Sequence, residues 1–294
     1  MVGCELSLVL PVHDDQENLD RILGELQNNQ PDPKWEVLVV DDGSPQPLTL
    51  STEAPEQWQV VRLETQSGAA VARNAGVKKA RGEHIVLLSV FLKIPPDYIS
   101  RVETFIKDYQ FDFAQHLLKK APEISATHFQ RFLANQSRRV SDSSENLSIK
   151  QSLFTAAIIK KESFCKLKGF DESMQHYGGH EMDLIYRLDR AGYTKRMIIP
   201  ELSLERIKLE SHTRTRQRLQ EYGKTGLPNL LKKHPELKAE ILTRPLLWRV
   251  LAILGLTGFT ENRILKKIEV DRKLPGMTYR LYLHLIVRNA WDAR

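Results

Sequence analysis

The first ninety residues alternate short apolar runs with helical patterns, and this alternation restricts the possible folds more than any other feature of the sequence. LSLVLPV (6–12) and WEVLVVDD (35–42) are apolar and rich in β-branched residues, as is typical of buried strands. Between them, DQENLDRILGELQNN repeats apolar residues at helical spacing. HIVLLSVFL (84–92) is continuously apolar, as expected for a strand covered on both faces. The pattern predicts an α/β fold with a mostly parallel sheet and right-handed crossovers.

The composition indicates a chain that can fold around a core and that works in a reducing compartment. It has 294 residues, of which 41% are hydrophobic. The two cysteines, Cys4 and Cys165, match no metal or redox spacing and are expected to be free thiols. No apolar run approaches the ~18 residues of a membrane span, and the start of the sequence lacks a basic n-region. We therefore expect a cytoplasmic protein.

The rest of the chain predicts a division into two parts. Residues 112–150 are polar and lack periodicity, which favours a surface loop. LFTAAIIKKESFCKLKGFDE then reads as a strand and a helix, GGHEMDLIYRLDRAGY as a helix, and TKRMIIPELSLERI as strand, turn and strand. From 213 the pattern is helical, and four prolines are expected to divide it. We expect a domain over 1–212, with halves 1–110 and 111–212, followed by a helical extension over 213–294.

The C-terminal extension carries the positive charge of the protein. Residues 244–294 hold ten Lys and Arg against four Asp and Glu, which equals the net charge of +6 of the whole chain. Basic amphipathic helices can lie on an anionic bilayer, so one hypothesis is a peripheral protein at the inner face of a membrane. The alternatives are packing on the preceding domain or a contact between copies in a homo-oligomer. Nucleic acid is not expected as a partner, because the aromatic residues form no stacking platform.

Polar residues that directly follow the predicted strands are the first candidates for a functional site. In open α/β sheets, ligands bind beyond the carboxyl ends of the strands. Four places meet this condition: Pro11-Val12-His13, Asp41-Asp42-Gly43-Ser44, Arg73-Asn74 in the helix after the third strand, and Ser89-Val90-Phe91.

These segments, in this order and spacing, resemble the family 2 glycosyltransferases over roughly residues 5–215. The matching pieces are LVLPVHDDQENLDRIL, EVLVVDDGS, SGAAVARNAGVKKARGEHI, KGFDES and GGHEMDLIYRLDRAGY. The resemblance implies a GT-A fold, which is a Rossmann-like, mostly parallel mixed sheet flanked by helices. It also implies transfer of a sugar from a nucleotide-sugar to a hydroxyl of a glycan, lipid-linked or protein acceptor, as in polysaccharide biosynthesis.

The resemblance assigns the donor to the strand ends. Asp41 and Asp42 would accept hydrogen bonds from a uracil imide or from ribose hydroxyls, which favours a UDP-sugar. The alternative for at least one of them is capping of the following turn. Arg73 would lie against the base or the pyrophosphate as a planar cation. The remaining positions on the donor side are Pro11, Val12, Ser89 and Phe91.

The catalytic base of this family is an acid at the start of a helix, and GGHEMDL occupies that place. Glu181 is predicted as the base, with Asp183 as the later acid and Gly179 and His180 on the acceptor side. A carboxylate at a helix N-terminus is stabilised in its ionised form. The implied reaction is an inverting single displacement. The alternative is that Glu181 and Asp183 only cap the helix.

The family usually places Asp-x-Asp, which holds Mg²⁺ or Mn²⁺, at the position where this chain has Ser89-Val90-Phe91. Neither Ser nor Phe supplies an anionic oxygen for a hard cation. Three hypotheses follow: a metal-independent enzyme whose cations neutralise the diphosphate, a metal held through His212, or a catalytically silent domain that binds nucleotide or glycan and scaffolds partners. His13 and the segment DGSPQP are further departures from the family pattern. The candidate cations are Lys93, Arg73, His212, Arg214 and Arg216.

Overall fold

An eight-stranded mixed sheet forms the centre of the molecule. The computed structural model describes residues 4–30, 32, 34–134, 147–174, 178–241, 250–251 and 254–293. The strands are β1 (Leu6–Val12), β2 (Trp35–Asp41), β3 (Trp58–Arg62), β4 (His84–Leu88), β5 (Leu92–Lys93), β6 (Phe113–Lys120), β7 (Ala156–Lys160) and β8 (Arg196–Arg206). Their order in the sheet is β3-β2-β1-β4-β7-β6-β8-β5.

Helices cover the sheet and continue beyond it. They are α1 (Gln16–Gln27), α2 (Ala69–Lys79), α3 (Tyr98–Asp108), α4 (His128–Ala134), α5 (Lys161–Lys166), α6 (His180–Arg190), α7 (His212–Glu221), α8 (Leu227–Lys233), α9 (Leu237–Ile241), α10 (Thr257–Glu269) and α11 (Gly276–Asp292). A 3₁₀ turn spans Ile149–Gln151, and a π turn spans Tyr222–Gly226 and joins α7 to α8.

The first half of the sheet confirms the predicted β-α-β units. β1 pairs in parallel with β2 and with β4, and β2 pairs in parallel with β3. The connecting helix α1 begins at Asp15, whose side chain accepts a hydrogen bond from the N–H of Asn18. Its apolar face is buried through Leu19, Ile22, Leu23 and Leu26, the positions that repeat at helical spacing in the sequence. The carboxyl ends of β1, β2 and β4 therefore meet at one edge.

The second half of the sheet is mixed. β7 runs antiparallel to both β4 and β6, whereas β6 pairs in parallel with β8. The prediction of a surface loop over 112–150 was wrong at its start, because β6 and α4 lie within it. Gln115 and His116 disturb the apolar pattern of β6, yet both are buried and hydrogen-bonded. Residues 135–146 of the predicted loop lie outside the described residues.

β8 is one long strand and not the predicted strand, turn and strand. Its pairing with β6 is interrupted between His116 and Leu118, where an irregularity accommodates extra residues of β8. Pro200 falls inside this interruption. Because proline has no N–H to donate, a bulge lets it remain inside a strand that would otherwise end there.

The C-terminal helices pack on the sheet domain. Leu227, Leu230 and Leu231 of α8 belong to the same buried cluster as Val9 and Leu87 of the sheet. A separate cluster joins α10 and α11 to Phe129 of α4. Pro235 lies between α8 and α9 and Pro275 lies directly before α11, as predicted, whereas Pro228 lies in the first turn of α8, directly after the π turn. Pro245 lies outside the described residues.

A close approach of backbones fixes α11 against the π turn. A side-chain carbon at Gly223 would lie 2.4 Å from the carbonyl oxygen of Val287 in α11. Within the described part of the chain, no helix is long and apolar enough to cross a membrane. Much of the segment 242–253 lies outside the described residues. The domain boundary at 212 stays a prediction.

Candidate functional site

Two adjoining cavities open at the carboxyl ends of β1, β2 and β4. The smaller, of about 210 Å³, is lined by Pro11, Val12, His13, Asp42, Ala69, Arg73, Leu88 and Ser89. The larger, of about 750 Å³, lies between the end of β4 and the segment from the end of β8 into α7. Arg73 and Ser89 line both cavities. We call these the small and the large cavity, and together they form one cleft.

Asp41 and Asp42 are neighbours in sequence but have different environments. Asp41 is fully buried, and its carboxylate accepts hydrogen bonds from the N–H groups of Ser44 and Leu48 and from the guanidinium of Arg62. Burial favours the neutral acid, but the hydrogen bonds outweigh burial and lower the pKa of Asp41. Asp41 thus organises the loop after β2, and it does not line either cavity.

Asp42 faces the small cavity and also holds its rim. Its carboxylate accepts hydrogen bonds from the N–H of Ser67 at 2.7 Å and of Gly68 at 2.9 Å, immediately before α2. The loop that begins after β2 requires glycine at position 43. Gly43 has φ +67°, and a side-chain carbon there would lie 2.2 Å from a carbon of Thr65. The loop after β2 and the start of α2 are therefore fixed to one another.

Arg73 and Asn74 connect α2 to the chain segment that precedes α6. Asn74 donates to the carbonyl of Phe170 at 2.8 Å and accepts from the N–H of the same residue at 2.9 Å. Arg73 is buried, with its guanidinium 5.3 Å from the ring centroid of Phe170. Its Nη1 donates to Glu181 Oε1 at 2.8 Å, and its Nη2 donates to the carbonyl of Phe154 at 3.2 Å. The Arg-Asn pair thus brings the start of α6 to the cleft.

Glu181 lies in the first turn of α6, beside the cleft. Its side chain is 25% exposed, compared with 10% for that of Arg73. Burial would raise the pKa of the Glu181 carboxyl, but the positive charge of Arg73 and the influence of His180 lower it overall. Glu181 is therefore ionised, partly accessible and close to both cavities through Arg73.

His180 and Gly179 support this first turn from behind. The ring of His180 contacts Phe170 edge-on at 5.7 Å, and burial is the main cause of its lowered pKa. Gly179 adopts φ +93°, and a side-chain carbon there would lie 3.0 Å from the carbonyl of Gly226 in the π turn. The π turn thus touches the start of α6.

Asp183 has a different environment from Glu181. It is fully buried and accepts two hydrogen bonds from Arg187, at 2.8 and 2.6 Å. Its other oxygen contacts His234 at 2.8 Å and Lys233 at 2.6 Å. Burial acts against ionisation, but these partners lower the pKa of Asp183. Asp183 therefore links α6 to the end of α8, away from the cleft.

Ser89 lines both cavities, Phe91 lines the large cavity, and Val90 between them in the sequence is buried. The Ser89 hydroxyl accepts a weak hydrogen bond from the N–H of Phe91 at 3.3 Å. A neutral hydroxyl and an aromatic ring do not fit the oxygen ligands that Mg²⁺ or Mn²⁺ requires. Among the described residues, no group of three His, Cys, Asp or Glu side chains is placed to hold a metal ion.

Cations line the large cavity where the family usually has a metal. Arg206 ends β8, Lys208 follows it, Arg214 and Arg218 come from α7, and Arg73 comes from α2. The acid that lines this cavity, Glu210, is paired with Arg218 at 2.6 Å. Arg206, Lys208 and Arg218 were not predicted as site residues, although the position of the first two in the sequence indicated such a role. ERIKLES places Arg206 and Lys208 at alternate positions across the end of a predicted strand, the place where ligands bind.

Three other predicted cations lie elsewhere. Lys93 is exposed and 3.8 Å from Glu123. Arg216 pairs with the buried Glu261 at 2.8 Å. His212 Nε2 contacts the hydroxyl of Tyr282 at 2.6 Å, and its ring is enclosed by Phe129 and Tyr282. Of the five predicted cations, Arg73 and Arg214 line the large cavity.

Comparison with known proteins shows the family of the chain. Residues 7–165, more than half of the sequence, match the family described as glycosyl transferase family 2. The chain belongs to this family.

Curated relatives match about a third of the chain. A dolichol-phosphate mannosyltransferase of Pyrococcus furiosus is 28% identical over 109 residues, which is 35% of this chain and 30% of that protein. An undecaprenyl-phosphate 4-deoxy-4-formamido-L-arabinose transferase of Pseudomonas syringae is 29% identical over 104 residues, 33% of this chain and 31% of that protein. The chain thus spans about a third of the length of these relatives.

Solved structures extend the likeness to nearly the whole chain. The mannosyltransferase PcManGT of Pyrobaculum calidifontis, in complex with GDP-Man and Mn²⁺, superposes with a TM-score of 0.65 at 17% identity and covers 99% of this chain and 88% of that one. TarS 1–349 of S. aureus, in complex with UDP-GlcNAc, has a TM-score of 0.51 at 15% identity and covers 98% and 92%. These likenesses confirm the predicted GT-A fold and its helical C-terminal region.

Proposed function

We propose that the protein is a nucleotide-sugar-dependent glycosyltransferase of the inverting type, acting without a bound metal. The observation that carries this proposal is the cleft itself, which is lined by cations at the proposed nucleotide end of a GT-A sheet and has an ionised carboxylate, Glu181, beside it in contact with Arg73. Membership of the family and the fold support the reaction class.

In this proposal, the nucleoside of the donor binds in the small cavity. Asp42 there presents a buried carboxylate, which is a suitable acceptor for an imide N–H or for ribose hydroxyls. An imide N–H favours uracil, and hence a UDP-sugar. Asp41, which lines neither cavity, supports the loop that carries Asp42. The sugar then projects past Ser89 into the large cavity.

The diphosphate is neutralised by the chain in this proposal. Arg206, Lys208 and Arg214 border the large cavity next to Ser89 and Phe91. Fixed cations that face a departing phosphate stabilise the charge that develops on it. Ser89 and Phe91 do not fit a divalent ion, so the neutralisation is assigned to these side chains.

Glu181 is the proposed base. Its carboxylate takes a proton from the acceptor hydroxyl while that oxygen attacks the anomeric carbon from the face opposite the diphosphate. The bond between the anomeric carbon and the phosphate oxygen breaks in the same step, and the electron pair leaves with the nucleoside diphosphate. One displacement inverts the configuration at the anomeric carbon.

The acceptor is proposed to be a glycan or a lipid-linked hydroxyl reached at a membrane surface. Of the eight large apolar side chains exposed in the described part of the chain, six lie between 250 and 277. Leu254 and Phe259 are about 60% exposed, and Phe259 is accompanied by Arg263. Apolar and basic groups on one surface suit an anionic bilayer. The domain division at 212 is kept as part of this proposal, with the helices after it serving the acceptor side.

Calorimetry of UDP binding tests the proposal, with and without Mn²⁺ and a chelator. We expect binding that the chelator leaves unchanged, followed by sugar release or transfer when a UDP-sugar is supplied. Binding that requires Mn²⁺ would contradict the metal-independent mechanism. Absence of binding to UDP and GDP alike would favour the alternative, a silent domain that scaffolds partners.

A further inference from the structure

Arg73 lies between the proposed donor site and the proposed base, Glu181. It lines the small cavity and the large cavity, and its Nη1 lies 2.8 Å from Glu181 Oε1. The other terminal nitrogen is held by the Phe154 carbonyl, and the guanidinium rests on the ring of Phe170. Three contacts from three chain segments therefore fix the position of this cation. Its Nε is buried without a hydrogen-bond partner.

A buried cation so close to a base has two opposing effects. It holds the carboxylate in one orientation and keeps it ionised, which a base requires. It also lowers the pKa of Glu181, and a carboxylate with a lowered pKa is a weaker base near neutral pH. His180 on the same helix and a hydrogen bond to the backbone of Phe154 also lower this pKa, and burial acts in the opposite direction. Relief of the Arg73 contact would therefore strengthen the base.

We propose that Arg73 is a positioning residue for Glu181 and that the donor phosphates share it. This inference rests on the proposed function. In the empty cleft, Arg73 orients Glu181 and keeps it ionised. A diphosphate bound next to Ser89 brings a second anion to the same guanidinium, which divides its hydrogen bonds between the two. The base then gains proton affinity when the donor is in place.

The test follows the titration of the Glu181 carboxylate by ¹³C NMR of glutamate-labelled protein, with the resonance assigned through Glu181→Gln. Arg73→Met removes the cation, whereas Arg73→Lys keeps the charge without the planar fork. Lys78→Met is the matched control, because it removes an exposed cation from the same helix. Thermal unfolding of each variant establishes that it is folded. Where Arg73→Met does not fold, Arg73→Lys carries the test.

We expect the Glu181 titration to move to higher pH in Arg73→Met, to a smaller extent in Arg73→Lys, and to stay unchanged in Lys78→Met. UDP should raise the Glu181 titration in the wild-type protein, and it should do so less in Arg73→Met. The acidic limb of kcat/KM should follow the same order. Titration that is equal in wild-type protein and Arg73→Met would overturn the positioning role, and bound UDP that leaves Glu181 unmoved would overturn the sharing.

Failure of the proposed function gives a different result. If UDP does not bind, the sharing of Arg73 and the donor role of the cleft are both rejected. The dependence of the Glu181 titration on Arg73 is read without turnover, so it supports or overturns the positioning role even then.

Discussion

The Nζ atom of Lys208 lies 4.4 Å from the centroid of the Phe91 ring. Phe91 occupies the position of the second acid in the family's Asp-x-Asp motif, so a positive side chain rests on the residue that replaced a metal ligand. A cation over an aromatic face is held there by the ring quadrupole. Two acids at these positions would instead attract Lys208 and compete with phosphate for it.

The cations of the large cavity should govern donor affinity. Arg206→Met and Lys208→Met should each weaken UDP binding by about 10-fold or more, because a charge-assisted hydrogen bond contributes about 1.5–3 kcal/mol. Calorimetry measures the effect, and affinity should also fall as salt increases. Lys119→Met, an exposed cation on the neighbouring strand β6, is the control. Equal losses in the control would mean that overall charge, and not the cavity, decides affinity.

Glu181 and Asp183 should separate in function. Glu181→Gln should abolish transfer while UDP still binds. Asp183→Asn should lower the free energy of unfolding by about 3 kcal/mol or more, because it leaves Arg187, Lys233 and His234 without their shared buried anion. Urea unfolding and a sugar-transfer assay measure both variants. Turnover retained in Glu181→Gln would exclude Glu181 as the base.

Substitution of Asp41 and of Asp42 should differ in its effect on UDP binding. Asp41→Asn should destabilise the fold by about 2 kcal/mol through its weakened bonds to Ser44, Leu48 and Arg62. Since the pKa of Asp41 is lowered by folding, its stabilisation exists above the ordinary range of an aspartate and disappears as pH falls through the folded pKa. The difference in unfolding free energy should thus vanish in acid. Asp42→Asn should lower stability through its weakened bonds to Ser67 and Gly68 and should also weaken UDP binding about 10-fold. Unchanged UDP binding in folded Asp42→Asn would contradict the role of Asp42 in the cavity.

His116 should make the protein sensitive to moderate acid. Burial lowers the pKa of His116 to about 4, while its Nε2 contacts the Tyr98 hydroxyl at 3.0 Å. The unfolded chain takes up a proton near pH 6.5 and the folded protein only near pH 4, so stability falls across this window, by about 3 kcal/mol in total. His116→Gln keeps a donor and an acceptor but does not titrate. Its unfolding free energy should change less between pH 7 and pH 4.5, and an unchanged slope would exclude His116 as the cause.

The exposed apolar surface of the C-terminal helices should bind anionic vesicles. Leu254→Ser combined with Phe259→Ser should reduce sedimentation with vesicles rich in anionic lipid, and salt should weaken the binding of the wild-type protein. Tyr109→Ser, which alters an exposed aromatic on α3, is the control. Self-association without vesicle binding would instead assign this surface to a contact between copies.

The sequence was sufficient for the N-terminal part of the fold, because β1, β2 and β4 are buried on both faces and therefore almost continuously apolar. It was insufficient for β6 and β8. Gln115 and His116 are polar yet buried, and their partners, the N–H of Leu153 and the hydroxyl of Tyr98, come from distant parts of the chain. The segment around Pro200 was predicted as a turn. The register shift that keeps it within one strand depends on the pairing of β8 with β6, which cannot be inferred from one strand alone.

The candidate site was predicted where family position and strand ends coincide, as for Asp42, Arg73 and Ser89. Different roles for adjacent acids could not be predicted, because Asp41 and Asp42 differ only in what surrounds them. Arg206 and Lys208 were missed because no motif marks them. Their function depends on where the end of β8 lies relative to the end of β4, and the pairing of β8 with β5 and β6 determines that.

Arg206 and Lys208, at the end of β8, are covalent parts of the chain. If the proposed mechanism holds, this has a physiological consequence. An enzyme that must bind Mn²⁺ from its surroundings becomes less active when the concentration of available manganese falls. A counter-charge built from arginine and lysine is delivered with the protein during translation, and its amount is set by gene expression. Sugar transfer by this chain would therefore continue through metal scarcity that silences relatives with an Asp-x-Asp site.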